Sequence, residues 1–372
     1  MDSLSEFKKI LGQHFTWNKA RLDCFTRILT ALIAVRTVNL KEIATAFSSK
    51  KAKLASRYQR IKRFFSAFQL NYDLIAQFVF SLFFSGKKVY LTLDRTNWFW
   101  GKAKINIFML GVAYEGIAIP LLWKLLPKAG NASAAQHIAM IKRFTRLFGK
   151  KGIVGILADR EFGSSKLFQF LNQRRIPFYI RIKEDSRVCT PKKKLSTPKK
   201  IFSRLNNREK AEFHMTVWIF GQKVYLAGSR SERGELLIVA TNQLPHHAVE
   251  IYLRRWEIEM LFSSLKTRGF RLEETHLTQR DRLEKLVGVL AIAFSWVHRV
   301  GEWRAEKNPI PFSKHHRCIR PQNSFFRYGL DWVREIILDL SNRKKDFKEI
   351  IEFFRLLSPP DLYLPSATRS IL

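Results

Sequence analysis

A mixed α/β domain set between helical regions is what this sequence predicts, and three observations predict it. Residues 88–183 read strand, strand, strand, helix, strand, helix, strand, an order that makes a mixed sheet flanked by helices. Residues 1–85 show helical apolar periodicity and no strand-like alternation. Residues 184–244 interrupt the α/β pattern with three more strand-like runs before helix returns.

Each element has its own local reason. KVYLTLD is a short run of strand formers that ends on a carboxylate, Asp94. INIFMLGVAY and GIAIPLLWKLL follow as strands around a Glu115-Gly116 turn. SAAQHIAMIKRFTRLFG is a helix, with Ser133 as its cap, Ile138, Ile141, Phe144 and Phe148 as its buried stripe, and Gly149 as its stop. GIVGILAD is a buried strand ending on Asp159, SSKLFQFLNQRR a helix, and PFYIRIK a further strand. After a basic, proline-marked loop, EFHMTVWIF, KVYLAGSR and ELLIVATN read as strands, with a Phe220-Gly221-Gln222 hairpin turn. Helix returns after Pro245 and runs to about Lys266, with Gly269 as the stop. The last hundred residues are mostly helical.

Charge narrows the function. The 66 Lys and Arg against 31 Asp and Glu give a net charge of +35, far beyond what solubility needs. Such an excess favours a polyanion, because each neutralised phosphate releases counterions. No apolar run reaches the length of a bilayer span, and MDSLSEFKK lacks a signal-peptide plan. Cys24, Cys189 and Cys318 are scattered, so neither a disulfide framework nor a Cys-based zinc site is indicated. A cytoplasmic setting without a membrane partner fits this composition.

Two short N-terminal helices follow one another, NLKEIATAFSS and then SKKAKLASRYQRIKRFFSAF, and the second has seven basic residues and no acid from Lys50 to Arg63. In SKKAKLASRYQRIKRFFSAF, Leu54, Tyr58, Ile61, Phe65 and Phe68 form an apolar stripe beside a basic one of Lys53, Arg57 and Arg60. A short helix followed by a basic one suits a helix-turn-helix reader of duplex DNA; a solvated face on a core helix would look the same.

Three carboxylates carry the chemistry. Asp94 and Asp159 follow apolar strands, where reactive groups gather in open α/β sheets. One such Asp is commonly a turn or cap residue; two on strands that can lie side by side make that reading weaker. With Tyr252 set at zero on an ideal helix, Arg255 lies at about 300°, Glu259 at about 340° and Lys266 at about 320°. Glu257 and Glu250 fall on the opposite side, at about 140° and 160°. One face therefore carries an acid between two cations. Three carboxylates can hold two divalent ions about 3.5–4 Å apart for phosphodiester chemistry, with Arg255 and Lys266 on flanking phosphates.

The spacing Tyr252, Arg255, Glu259, Lys266 resembles the Y-(2)-R-(3)-E-(6)-K signature of bacterial insertion-sequence DDE transposases (the insertion-sequence-four family). YLTLDRTNW resembles that family's first aspartate block and ILADREF its second; the likeness covers about residues 88–300 and FRYGLDWVREI. The resemblance implies a ribonuclease-H-like core interrupted by a β-rich insertion. It implies Asp94, Asp159 and Glu259 as catalytic metal ligands for two Mg²⁺ ions, with Mn²⁺ as a substitute. It also implies binding of terminal inverted repeats, strand cleavage and transfer into target DNA, and a homodimer on DNA in the bacterial nucleoid. Some relatives hold a flipped base on an aromatic residue, for which Trp218 and Trp256 are candidates by residue type.

The expected domains are a helical DNA-binding region over 1–85, core segments over 86–183 and 245–300, the insertion over 184–244, and a helical C-terminal region over 301–372. A stand-alone nuclease or resolvase would share the metal site, and a DNA-binding derivative would keep the acids without using them.

Overall fold

The computed structural model describes residues 3–47, 52–127, 130–315 and 318–355. The chain opens with helices α1 (Ser3–His14), α2 (Lys19–Val35), α3 (Leu40–Ala46), α4 (Leu54–Ala67) and α5 (Tyr72–Phe83). Then come β1 (Val89–Trp100), β2 (Ala103–Tyr114), β3 (Ile117–Leu125), α6 (Ala134–Phe148), β4 (Ile153–Ala158), α7 (Ser165–Gln173) and β5 (Phe178–Ile182), in the order the sequence predicts. Next are β6 (Val188–Cys189), β7 (Leu195–Ser196), α8 (Pro198–Ile201), β8 (Lys210–Ile219), β9 (Gln222–Arg230) and β10 (Leu236–Thr241). The chain then forms α9 (Ala248–Leu253), α10 (Trp256–Leu265), α11 (Arg280–Lys307), β11 (Phe312–His315), β12 (Cys318–Pro321), α12 (Phe325–Leu338) and α13 (Lys344–Arg355). No helix among the described residues is long and apolar enough to cross a membrane.

These elements cluster into two compact units. One unit holds residues 86–97 and 104–261. Its ten strands form a single mixed sheet in the order β3-β2-β1-β4-β5-β10-β9-β8-β6-β7. The β1–β4 and β4–β5 pairs are parallel, whereas β5–β10, β10–β9 and β9–β8 are antiparallel. The strands of 184–244 therefore extend the core sheet from β5 instead of forming a layer of their own. Both hairpin turns read from the sequence have two residues at positive φ: Glu115 and Gly116 (47° and 88°), and Phe220 and Gly221 (52° and 73°). That pattern matches the right-handed twist of the flanking strands.

Helices cover both faces of this sheet. Phe178 meets Phe168 of α7 at a ring distance of 4.8 Å, while its neighbour Tyr179 packs with Ala248, Val249 and Tyr252 of α9. Successive strand residues point to opposite faces, so α7 and α9 lie on opposite sides. Ser133 starts α6 with a full capping box to Gln136. The buried stripe of α6 differs from the predicted one: His137, Met140, Ile141 and Phe144 are buried, while Ile138 and Phe148 are half-buried. The inward position is taken by His137, whose ring packs on Phe162 at 4.6 Å, and a polar residue gives no apolar signal for it.

The other unit holds the described parts of residues 1–85, 98–103 and 262–372. The two end regions, expected as separate domains, share one aromatic core: Phe7 of α1 stacks on Phe354 of α13 at 5.7 Å and meets Trp296 of α11 at 4.8 Å. Long-range contacts between chain ends leave no periodicity in either segment to announce them. The fit between α11 and α12 depends on two glycines in contact. A Cβ on Gly301 would stand 1.9 Å from the Phe325 carbonyl oxygen, and one on Gly329 1.8 Å from that of Val297.

Candidate active site

The two aspartates come together through sheet register. The parallel β1–β4 ladder ends at the rung Leu93↔Ala158, so Asp94 and Asp159 are the next residues on neighbouring strands. Asp94 does not end its strand as expected, because β1 continues to Trp100. It ends only the parallel pairing, and beyond it β1 is an arm of the hairpin with β2. Asp159 follows β4 and caps a 3-10 turn over Arg160–Phe162. Each carboxylate accepts the N–H of the following residue at 2.7 Å, from Arg95 and Arg160 respectively.

The third acid arrives on a broken helix. The expected continuous helix from Pro245 to Lys266 starts later, at Ala248, and divides at Arg254–Arg255. There the backbone bonds shorten to the i→i−3 type: Arg255 N–H donates to Tyr252 O at 2.8 Å and Ile258 N–H to Arg255 O at 3.1 Å. Arg254 is drawn off by other partners. It donates to Ala113 O at 3.3 Å, pairs with Glu257 at 3.1 Å, and lies over the Tyr90 ring at 5.0 Å. Glu257 is held by Arg254 instead, and burial raises its carboxyl above the ordinary value.

Arg255 joins two of the acids. Only 8 % exposed, it donates through Nη1 to Asp94 Oδ2 at 3.2 Å and through Nη2 to Glu259 Oε1 at 2.6 Å. Tyr252, buried on the sheet, places its hydroxyl 3.4 Å from Asp159 Oδ1, and Arg181 of β5 approaches the same oxygen at 3.8 Å. The Arg255 guanidinium lies 5.8 Å from the Tyr252 ring centroid, which brings the Asp94–Arg255–Glu259 group and the Tyr252–Asp159 pair together. Arg255 is held between two of these carboxylates. Burial pushes the Asp94 carboxyl up to about 6, against the opposing pull of the Arg95 N–H and the Arg255 charge. Burial likewise pushes the Tyr252 phenol up to about 12. The Arg255 guanidinium is raised despite its burial by Tyr252, Glu259 and Asp94.

Other predicted site residues carry other contacts. Lys266 pairs with Glu273 at 2.7 Å and lies over the Trp98 ring at 5.2 Å within the helical unit. Lys53 stands at the N-cap position of α4 with no side-chain capping bond, and is exposed. The other two members of its stripe serve packing: Arg57 donates to the carbonyls of Thr45 and Phe47, and Arg60 to Asp23 and Ala20. Lys50 and Lys51, which begin the basic run, lie outside the described residues. Trp218 and Trp256 are exposed, at 41 % and 59 %.

Sequence reasoning missed a clamp beneath the aspartates. Arg95 forks onto Glu161 with two bonds of 2.8 Å, and also donates to Asn131 at 2.9 Å and Gly130 O at 3.0 Å. The clamp ties the residue after Asp94 to the second residue after Asp159. Its signal was present in the repeated Asp-Arg dipeptides of YLTLDR and ILADRE. Arg181 was visible too, as a charge inside the apolar run FYIRI.

Three acids clustered at the end of a parallel ladder, threaded by arginines, define a candidate centre for phosphoryl transfer. Residues 88–296 match the family described as Transposase DDE domain, and the chain belongs to that family. Among solved structures it is similar to a piggyBac transposase synaptic complex with hairpin DNA, at TM-score 0.47 and 11% identity over 91% of this chain and 76% of that one. No curated protein matches the chain.

Proposed function

We propose that this protein is an insertion-sequence DNA transposase that binds terminal inverted repeats and catalyses Mg²⁺-dependent strand cleavage and transfer. The observation that carries the reading is the linkage of Asp94 and Glu259 by Arg255, of Asp159 by Tyr252, and of the two groups by the Arg255–Tyr252 ring contact. The family membership and the charge of +35 support it. The meander β3-β2-β1, continued in parallel by β4 and β5, supports a ribonuclease-H-like core. The Tyr252, Arg255, Glu259, Lys266 spacing supports placement in the insertion-sequence-four group.

The donor set fits the implied metal. Carboxylate oxygens suit Mg²⁺ and Mn²⁺, and two of the acids, Asp94 and Glu259, already share one cation, the Arg255 guanidinium. Two ions on Asp94, Asp159 and Glu259 would activate the attacking water or 3′-hydroxyl and stabilise the leaving oxygen. Arg255 balances the carboxylate charge and holds Asp94 and Glu259 together. Tyr252 orients Asp159, and the Arg95–Glu161 clamp fixes the two aspartate strands. Lys266 serves the flanking phosphate, the outer face of α4 serves the duplex, and the exposed rings of Trp218 and Trp256 offer surfaces for a flipped base. The partners are duplex DNA at the element ends and target, and a second copy of the chain; the setting is the bacterial cytoplasm.

The test supplies purified protein with Mg²⁺, DNA bearing its own element's ends, and a target plasmid. Cleavage with joining is expected. Cleavage without joining would assign a nuclease or resolvase, and binding without either would assign a DNA-binding derivative.

A further inference from the structure

A second cluster of metal-ligating side chains lies in the sheet unit, apart from the three acids. Glu212 and His214 sit two residues apart on β8. His246 reaches the same place from the segment before α9. The ligand atoms of the three residues all lie within 4.8 Å of one another. Ligands at about 2.0–2.2 Å from one ion stand no more than about 4.4 Å apart. Small side-chain rotations therefore close the set around a single ion.

Local structure presents these groups. In β8, the three residues between Phe213 and Val217 face one residue of β9, a bulge that releases His214 from the ladder. Glu212 is oriented by two bonds: Oε2 meets His246 Nδ1 at 2.9 Å, and Oε1 accepts the His247 backbone N–H at 3.2 Å. A backbone bond to a ligating carboxylate is the outer support that metal sites use. The His214 and His246 rings stand 5.7 Å apart, so neither blocks the other from a shared ion. Glu212 and His214 line an open cleft of about 290 Å³, which leaves room for water on the remaining coordination positions.

We infer that Glu212, His214 and His246 form a binding site for one borderline transition-metal ion of the Zn²⁺ type. Two imidazoles and one carboxylate suit such an ion, whereas Mg²⁺ prefers all-oxygen sites. The site is chemically distinct from the Asp94, Asp159 and Glu259 cluster and does not depend on its proposed role. It joins β8 to the start of α9, the helix that carries Tyr252. The competing account is a plain contact between His246 and Glu212, in which His214 has no part.

The two accounts separate by calorimetric titration of Zn²⁺ into untagged, chelator-treated full-length protein, with Mg²⁺ in excess. Saturable binding of a single Zn²⁺ per chain is expected. His214→Ala and His246→Ala should each weaken it by about 10–100-fold or more, and Glu212→Gln by a comparable factor. Asp159→Asn should leave it unchanged. Zn²⁺ should also raise the melting temperature of the wild type and not that of His214→Ala, a comparison made on chains whose circular dichroism matches. Absence of wild-type binding would overturn the site. So would equal binding in His214→Ala, or loss of binding in Asp159→Asn alone.

Discussion

Removing the Arg255 guanidinium would leave Asp94 and Glu259 without the cation that bridges them. Arg255 is 8 % exposed, so its loss strands charge in a poorly solvated place. Arg255→Ala should cost about 3 kcal/mol in urea unfolding, the low end for breaking a buried pair because Glu259 keeps contact with solvent. Added Mg²⁺ should recover part of that loss in the variant and much less in the wild type. The Arg95–Glu161 clamp gives a second test. Its bidentate geometry should appear as a coupling of roughly 1–3 kcal/mol in a double-mutant cycle of Arg95→Ala and Glu161→Gln. A coupling near zero would remove the clamp from the account.

The residue scale also marks how far the sequence could be read. Glu259 was separable from Glu257 because the i,i+4 relation to Arg255 survives the helix break. The break itself was hidden, since it follows from Arg254 partners more than a hundred residues away in sequence, such as Ala113. Arg57 and Arg60 were legible as basic but not as packed, because their acceptors are carbonyls and an Asp on other helices.

Element packing sets two further expectations. His137 of α6 sits between Phe108 and Phe162, and burial lowers its imidazole to about 4. The unfolded chain takes up this proton near pH 6.5 and the folded chain only near 4, so acidification across that window favours unfolding. His137→Phe should flatten the pH dependence of stability there by on the order of 2 kcal/mol, read from urea midpoints at pH 4.5 and 7. In the helical unit, Gly329→Ala or Gly301→Ala drives a methyl into a backbone carbonyl. Each should cost about 3 kcal/mol or more and lower the melting temperature markedly, because rigid backbone cannot yield as a side-chain tip would. These two glycines were unreadable as contacts, whereas the strand and turn order of 88–183 was legible because every element there carries its own local signal.

For the whole molecule, the charge of +35 predicts a steep fall of DNA affinity with salt. The structure narrows which charges to remove. On α4, Lys53, Lys62 and Arg63 are exposed, while Arg57 and Arg60 are tied to neighbouring helices. Joint replacement of Lys53, Lys62 and Arg63 by Ala should reduce the salt slope of binding by up to about 3, one phosphate for each charge. Arg60→Ala should lower stability more than it lowers the slope, through loss of its Asp23 pair.

In the proposed function, Asp94, Asp159 and Glu259 act together on the DNA backbone. Single-turnover cleavage of end DNA in Mg²⁺, with binding measured in parallel, tests it most directly on Asp94→Asn, Asp159→Asn and Glu259→Gln. Each variant should lose cleavage by roughly 10³-fold or more while binding is kept, and the triple variant should lose little beyond the singles, as for groups that work as a unit. Cleavage retained in any one of the three, with folding and binding intact, would contradict the account.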